Sequence, residues 1–200
     1  DYVMGHSLGE YAAAHVAGIF NLIDAITMLY EKERLISSMG DTGKSKGYHS
    51  LLTQKIQCEF GSITKKMSFN LPNINIVSGV SGNIVSDQMS KPGYWVNQLV
   101  EPIEFSKSLE TLKAVGSTFY LEVDPGFMLS SLTKQFLSKN DCVVIPSIQE
   151  KTEELLQVSI VTESLYKHGI KIDWNNIQSG HTLSDFPQYT FDRKRFWVDI

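Results

Sequence analysis

The six residues 5–10, Gly-His-Ser-Leu-Gly-Glu, constrain the fold of this chain more than any other feature. They follow a short apolar run at residues 2–4 and precede an alanine-rich stretch at residues 11–17. A strand, a serine flanked by glycines and then a helix is the layout of a nucleophile elbow, a sharp turn that exposes the serine hydroxyl. The two glycines predict a turn in which neighbouring backbone comes close. Ser7 is therefore a candidate nucleophile, and the Leu8 N–H at the helix start is a candidate oxyanion donor.

The composition argues against several classes of function. A chain of 200 residues with 42% hydrophobic and 20% charged residues is typical of one globular domain with a sizeable core. A net charge of −4 argues against a general nucleic-acid role, and no apolar run reaches the length of a membrane span. Cys58 and Cys142 lack the spacing of metal ligands and favour a reducing, cytoplasmic setting. We expect a cytoplasmic protein that binds no nucleic acid, membrane or metal.

Apolar patterns and chain breakers predict strands that alternate with helices, which is typical of an α/β fold with a mostly parallel sheet. Gly18 and Gly40 are expected to end the first two helices, and Asp24 is expected to open the second. A helical turn is expected at residues 94–99, and irregular chain beyond Trp174. The expected strands are residues 2–5, 74–78, 118–123 and 142–145, and the expected helices are residues 8–17, 24–39, 49–67, 105–115, 127–137 and 153–167.

A serine nucleophile needs a base, and the chain offers five histidines. His6 is a poor base, because neighbouring side chains on such a turn point apart. His15 lies in the alanine-rich helix, where a packing role is expected, and His181 lies in the irregular tail. His49 and His168 remain as candidates, and His49 follows a glycine-containing loop and opens a helix, from which an imidazole can lean into a cleft.

A charged residue interrupts the apolar face of the second predicted helix. Lys32 falls in the middle of a stripe with the helical period, formed by Leu22, Ala25, Met28, Leu29, Ile36 and Met39. A lysine there must extend to solvent, pair with another group, or bind an anionic ligand. Its position one helix away from the serine predicts a cationic anchor for a substrate carboxylate.

Residues 5–10, together with residues 48–52 (Tyr-His-Ser-Leu-Leu), resemble the motifs around the nucleophile and the catalytic histidine of one family. That family is the acyltransferase domain of modular polyketide synthases, with malonyl-CoA:acyl carrier protein transacylases as more distant members. Residues 76–82, 94–105 and 121–126 are similar to other core segments of the family, and residues 165–174 and 186–197 are similar to the linker that follows this domain.

The resemblance implies a ping-pong acyl transfer. Ser7 would take an acyl unit, expected to be malonyl, from coenzyme A and pass it to the phosphopantetheine thiol of an acyl carrier protein. His49 would act as base without an aspartate, Leu8 would supply the oxyanion N–H, and Lys32, His6 and Tyr48 would bind the substrate. The implied partners are the carrier protein and a neighbouring ketosynthase domain of the same megasynthase. No bound cofactor is implied, because acyl-CoA is a substrate and the phosphopantetheine belongs to the partner.

The chain departs from the family pattern in three respects. It begins almost at its strongest motif, without an initiator methionine, so we expect a fragment that lacks the N-terminal part of the hydrolase-like core and its Gly-Gln-Gly loop. Residues 40–48 are too few for the family's small ferredoxin-like subdomain. Lys32 stands where malonyl-type members carry an arginine. We therefore expect an incomplete acyltransferase core at residues 1–148, with the small subdomain missing near residues 40–47, and a C-terminal helix with the linker at residues 149–200.

Two other hypotheses remain at this point. The first is a serine hydrolase of the α/β type, with a triad of Ser7, Asp124 and His168 in the chain order that this fold uses. The second is a catalytically incomplete scaffold, because the loss of an oxyanion donor alone lowers a rate by about 100- to 1,000-fold.

Overall fold

A computed structural model describes residues 1–38, 51–137, 142–148, 152–177, 190–192 and 194, with only the backbone described at residues 51–54. The chain divides into two compact units, Asp1–Lys151 and Thr152–Ile200. The first unit contains all of the described strands and six of the described α-helices, so the predicted α/β class is confirmed. The second unit contains the two remaining described helices.

The first unit alternates helices and strands along the chain. Its strands are β1 (Tyr2–Met4), β2 (Asn75–Val77), β3 (Ile84–Val85), β4 (Phe119–Glu122) and β5 (Val143–Pro146). Its helices are α1 (Gly9–Val16), α2 (Leu22–Ser37), α3 (Leu51–Thr64), α4 (Pro92–Gln98), α5 (Phe105–Ala114) and α6 (Met128–Phe136), with a short 3-10 helix at Gln88–Ser90. The second unit contains α7 (Glu154–Lys167) and α8 (Trp174–Ile177).

The described strands form two sheets. In the first sheet β1 pairs in parallel with β2, in the register Tyr2 with Asn75 and Met4 with Val77, and β2 pairs antiparallel with β3. The second sheet is the parallel pair β4 and β5. Parallel pairing predominates as predicted, but in two small sheets. The sequence did not predict β3, because two residues are too few to show an alternating pattern.

The core of the first unit lies between α1, α2, α3 and α4. Small alanines on α1 let its backbone approach its neighbours, and aromatic side chains fill the remaining space. The Trp95 ring of α4 is fully buried and lies 4.7 Å from the Tyr11 ring and 5.1 Å from the Phe20 ring. Its Nε1–H donates to the Met89 carbonyl oxygen at 2.9 Å, which satisfies its polar atom. This packing fixes α4 against the N-terminal half of α1.

Most predicted elements are confirmed, and the differences have local causes. Helix α2 begins at Leu22 because Asn21 caps it, with the Asn21 Oδ1 accepting from the Asp24 N–H at 2.8 Å. The segment predicted as a helical turn near residue 94 is the seven-residue helix α4, which has Pro92 in its first turn. Trp174 opens the short helix α8 where irregular chain was predicted.

In the second unit, α7 ends at Lys167, and the Tyr166 ring contacts the Trp174 ring of α8 at 5.5 Å. Across the part of the chain that the structure describes, no helix is long and apolar enough to cross a membrane.

Candidate functional site

The turn that carries Ser7 joins the end of β1 to the start of α1. Ser7 has a φ of 56°, and among the described residues it is the only one other than glycine with a positive φ. The Gly9 N–H donates to the His6 carbonyl oxygen at 3.0 Å and the Glu10 N–H to the Ser7 carbonyl oxygen at 3.2 Å, so the helix begins immediately after the turn. A left-handed backbone at a residue with a Cβ costs of order 1–3 kcal/mol and is concentrated at functional sites. The predicted strand–turn–helix geometry is thus present.

The two flanking glycines differ in what they allow. A Cβ at Gly5 would lie 2.1 Å from the Gly9 carbonyl oxygen and 2.2 Å from the Glu10 nitrogen, so only glycine fits. At Gly9 a Cβ would meet nothing within 4 Å. Close backbone approach, predicted for both glycines, holds only for Gly5. Gly9 instead leaves open space at the start of α1.

The Leu8 N–H lies at the N-terminus of α1, where helices leave unpaired donors. Within the described part of the chain, it donates to no other backbone group, whereas the N–H groups of the next three residues all do. Leu8 itself has helical backbone angles, with φ −59° and ψ −34°. Its proposed use as an oxyanion donor stays a prediction.

His6 lies beside the nucleophile in sequence, and its ring packs edge-on against the Phe105 ring at 5.8 Å. Phe105 opens α5, so the imidazole is held against the start of a different helix. The substrate-binding role assigned to His6 stays a prediction.

A buried carboxylate lies on α1 directly after the turn. Glu10 is 1% exposed, and it accepts hydrogen bonds from the Gly79 N–H at 2.7 Å, from the Tyr94 hydroxyl, and from the Gln98 Nε2 at 3.2 Å. The Tyr94 hydroxyl also lies 2.7 Å from the Ser78 Oγ. Burial raises the pKa of Glu10, and the hydrogen bonds from Tyr94, Gly79 and Gln98 and the charge of Lys32 oppose that rise.

Lys32 does not extend to solvent. It is 9% exposed, its Nζ donates to the Gln98 Oε1 at 3.2 Å, and the same atom lies 5.2 Å from the centre of the Tyr11 ring. Burial lowers the pKa of Lys32, whereas the charges of Glu33 and Glu10 raise it. Lys32 thus lies on the buried face of α2, as the helical period predicted. Its role as a carboxylate anchor stays a prediction.

The apolar stripe of α2 is confirmed only in part. Ala25 and Met28 are buried beside Lys32 as predicted, but Leu22 is 56% exposed and Leu35 is buried instead. Leu35 continues the spacing of Ala25, Met28 and Lys32, so the buried face follows these four residues.

Sequence reasoning missed Glu10 and Gln98. A glutamate in an alanine-rich helix was a usable signal, because a charge beside small apolar residues is expected to need partners. Gln98 gave no such signal, because glutamine is common on exposed helix surfaces and its four partners come from other elements.

The other predicted residues are not brought together by described contacts. His49 and Tyr48 lie outside the described residues. Asp124 is exposed in the first unit and accepts from the Gly126 N–H at 3.1 Å. His168 directly follows α7 in the second unit, with its Nδ1 2.7 Å from the Ser164 carbonyl oxygen.

The motif at residues 121–126 has a structural role at Glu122. Its carboxylate accepts from the N–H groups of Leu129 and Ser130 at 2.9 and 2.8 Å, in the first turn of α6. A carboxylate at a helix N-terminus satisfies unpaired donors and opposes the positive end of the helix dipole. This contact ties the end of β4 to α6.

This fold, with a strained serine between β1 and α1, is that of acyltransferases. Among solved structures, the chain is similar to the acyltransferase domain from the second module of the salinomycin polyketide synthase, with a TM-score of 0.76 and 19% identity over 87% of this chain and 55% of that one. It is also similar to a malonyl-CoA:acyl carrier protein transacylase of Xanthomonas oryzae, with a TM-score of 0.68 and 16% identity over 82% of this chain and 71% of that one.

In sequence, the chain is similar to the polyketide synthase GfsB of Streptomyces halstedii, with 25% identity. That match covers 98% of this chain but only 5% of the relative's length. No family model matches the chain. The resemblance to polyketide synthase acyltransferase domains, inferred from the motifs, is confirmed.

Proposed function

We propose that this chain is an acyltransferase domain of the polyketide synthase type, in which Ser7 carries the acyl group. The observation that carries the proposal is the left-handed backbone of Ser7 between β1 and α1, in a chain with the acyltransferase fold. A serine held at that angle presents its hydroxyl at the tip of a turn, beside the N-terminus of α1.

The proposed reaction has two half-reactions. In the first, the Ser7 Oγ attacks the thioester carbonyl of an acyl-CoA, His49 accepts the hydroxyl proton, and the C–S bond breaks. His49 returns that proton to the departing CoA thiolate. In the second, the thiol of a carrier protein's phosphopantetheine gives its proton to His49 and attacks the Ser7 ester. The Ser7 oxygen then leaves and takes the proton back, and the Leu8 N–H stabilises the oxyanion in both steps.

The proposed donor is malonyl-CoA, since a buried cation near the serine suits an acyl group with a free carboxylate. Lys32 is that cation, and His6 and Tyr48 complete the proposed substrate site. The similarity to the malonyl-CoA:acyl carrier protein transacylase of Xanthomonas oryzae supports a malonyl donor and a carrier-protein acceptor. A ketosynthase in the same protein is proposed from the polyketide synthase relatives.

We also propose that residues 1–148 are the acyltransferase core and that residues 149–200 are its following helix and linker. The alignment with GfsB runs over 268 residues, more than the 200 that this chain contains. The relative therefore has residues within the aligned region that have no counterpart here, which supports a core that lacks an internal segment; we place that segment, the small subdomain, near residues 40–47.

The test is intact-mass measurement of the full-length protein after incubation with malonyl-CoA. We expect a mass increase of one malonyl group that is absent from a Ser7→Ala variant and is discharged by an acyl carrier protein bearing phosphopantetheine. An equal adduct on Ser7→Ala, or no adduct on the unsubstituted protein, would contradict the proposal. Continuous release of free malonate, without transfer of the acyl group to the carrier protein, would favour a hydrolase.

A further inference from the structure

One buried amide connects the nucleophile turn with the buried cation. Gln98 lies at the end of α4 and is 8% exposed. Its Nε2 donates to the Ser7 carbonyl oxygen at 3.3 Å and to the Glu10 Oε2 at 3.2 Å. Its Oε1 accepts from the Lys32 Nζ at 3.2 Å and from the Tyr11 hydroxyl at 3.2 Å. A single side chain thus contacts two elements, α1 with its preceding turn and α2.

The four contacts agree with only one orientation of the amide. A carbonyl and a carboxylate accept hydrogen bonds only, so they require the NH2 side of Gln98, whereas an ammonium group donates only and requires the oxygen side. Rotating the amide by 180° would set its oxygen against the Glu10 carboxylate and its NH2 against Lys32. A primary amide offers two donors at its NH2 end and an acceptor at its oxygen.

Two buried charges of opposite sign depend on this amide. Glu10 and Lys32 are both almost fully buried, and each bonds to Gln98. Buried charges are costly unless they are paired or hydrogen-bonded, so loss of the amide leaves both groups short of a partner. The Ser7 carbonyl oxygen accepts from the same NH2 group, which ties the backbone of the turn into this arrangement.

We propose that Gln98 is a positioning residue of the acyl-transfer site, which holds the Ser7 turn with its NH2 side and the Lys32 ammonium with its oxygen side. The inference rests on the proposed function, because it assigns to Lys32 the carboxylate of the acyl donor. Gln98 then sets the placement of the cation relative to the nucleophile. Small displacements of reacting groups cost about 100-fold in rate.

Three variants separate the two sides of the amide. Gln98→Glu keeps the acceptor towards Lys32 and Tyr11 but loses the NH2 donors towards Ser7 and Glu10. Lys32→Met removes the cation and leaves the NH2 side intact. Gln98→Met removes both sides at similar volume. Asn97→Asp is the matched control, since it makes the same amide-to-acid change at the adjacent, exposed position of α4.

The measurement is the rate constant for Ser7 acylation of the full-length protein, with malonyl-CoA and with acetyl-CoA, which lacks the carboxylate. We expect Gln98→Glu to slow acylation by both donors by about 10- to 100-fold, because both depend on the Ser7 turn. Lys32→Met slows malonyl-CoA by about 10- to 100-fold and slows acetyl-CoA by less, because only malonyl-CoA loses a contact to its carboxylate. Gln98→Met shows both losses, and Asn97→Asp shows neither. Circular dichroism and the thermal midpoint establish that each variant is folded.

Equal losses with both donors in all three substituted proteins would indicate a merely structural role and overturn the inference. An unchanged rate in Gln98→Met would also overturn it. If the unsubstituted protein is not acylated by either donor, the proposed function fails. The same variants are then compared in labelling of Ser7 by a fluorophosphonate, which uses no acyl-CoA. In that case, slower labelling of Gln98→Glu and Gln98→Met than of Lys32→Met supports the NH2 side of the inference, and equal labelling of the three variants overturns it.

Discussion

At the scale of single residues, Gly5 and Gly9 have different physical requirements despite their symmetry around Ser7. We expect Gly5→Ala to lower the free energy of unfolding by about 3 kcal/mol, because its Cβ would overlap backbone atoms at 2.1 Å that cannot move without distorting α1. Gly9→Ala is the matched control, and it is expected to raise stability by up to about 1 kcal/mol because alanine favours a helix. Urea unfolding of both variants measures the difference, and equal effects would contradict it.

The pKa of Glu10 predicts how stability varies with pH. Burial raises its pKa in the folded state above the ordinary value of 4.5, so the folded protein holds this proton more tightly than the unfolded chain. The stabilisation that protonated Glu10 gives the folded state is therefore fully present below pH 4.5, and it is lost as the pH rises through the folded pKa. Relative to Glu10→Gln, the free energy of unfolding should fall with increasing pH over that window, by at most about 1.4 kcal/mol per pH unit.

Urea unfolding at a series of pH values measures this difference. Glu110→Gln, on the exposed side of α5, is the control, and it should show a smaller pH dependence. A difference between wild type and Glu10→Gln that is constant over the whole range would contradict the prediction.

At the scale of secondary-structure elements, α6 depends on a carboxylate that lies outside it. Glu122 accepts from two N–H groups of its first turn, so we expect Glu122→Ala to lower the free energy of unfolding by about 1–3 kcal/mol. Glu122→Gln should lose less, because its amide retains one acceptor. Glu110→Ala, at an exposed position of α5, should change stability by less than about 0.5 kcal/mol. A loss from Glu122→Ala no larger than that of the control would contradict the role of the cap.

The elements that the sequence predicted well are those with a strong local signal. The helices predicted at residues 8–17, 105–115 and 153–167 correspond to α1, α5 and α7, and the strands predicted at residues 118–123 and 142–145 correspond to β4 and β5. The start of α2 was displaced because its cap is Asn21 rather than Asp24. Strand β3 was missed, since its two residues are too few to show a periodicity.

The candidate site was predicted only where the chain itself signals chemistry. Ser7 stands in a motif and Lys32 interrupts an apolar stripe, so both could be singled out. Gln98 could not, because its importance comes from contacts with residues more than 60 positions away along the chain. Hydrogen-bond partners of that kind follow from the packing of α1, α2 and α4, which periodicity does not specify.

At the scale of the whole molecule, the proposed base decides between two mechanisms. In the acyltransferase mechanism His49 serves Ser7, so we expect His49→Ala to slow malonyl-Ser7 formation by about 100- to 10,000-fold, whereas His168→Ala leaves it unchanged. The α/β hydrolase alternative predicts the reverse, together with a loss in Asp124→Ala. Acylation reactions of each variant, quenched at timed intervals and followed by mass measurement of the acylated fraction, distinguish the two patterns.

The backbone angle at Ser7 has a consequence for anyone who engineers this chain for heat resistance. Glycine adopts a φ of 56° without steric cost, so a procedure that selects only for stability will favour Ser7→Gly. Such a replacement relieves of order 1 kcal/mol of strain and at the same time removes the only hydroxyl on the turn. Position 7 must therefore be held constant in any thermostabilised version, even though glycine there would relieve backbone strain.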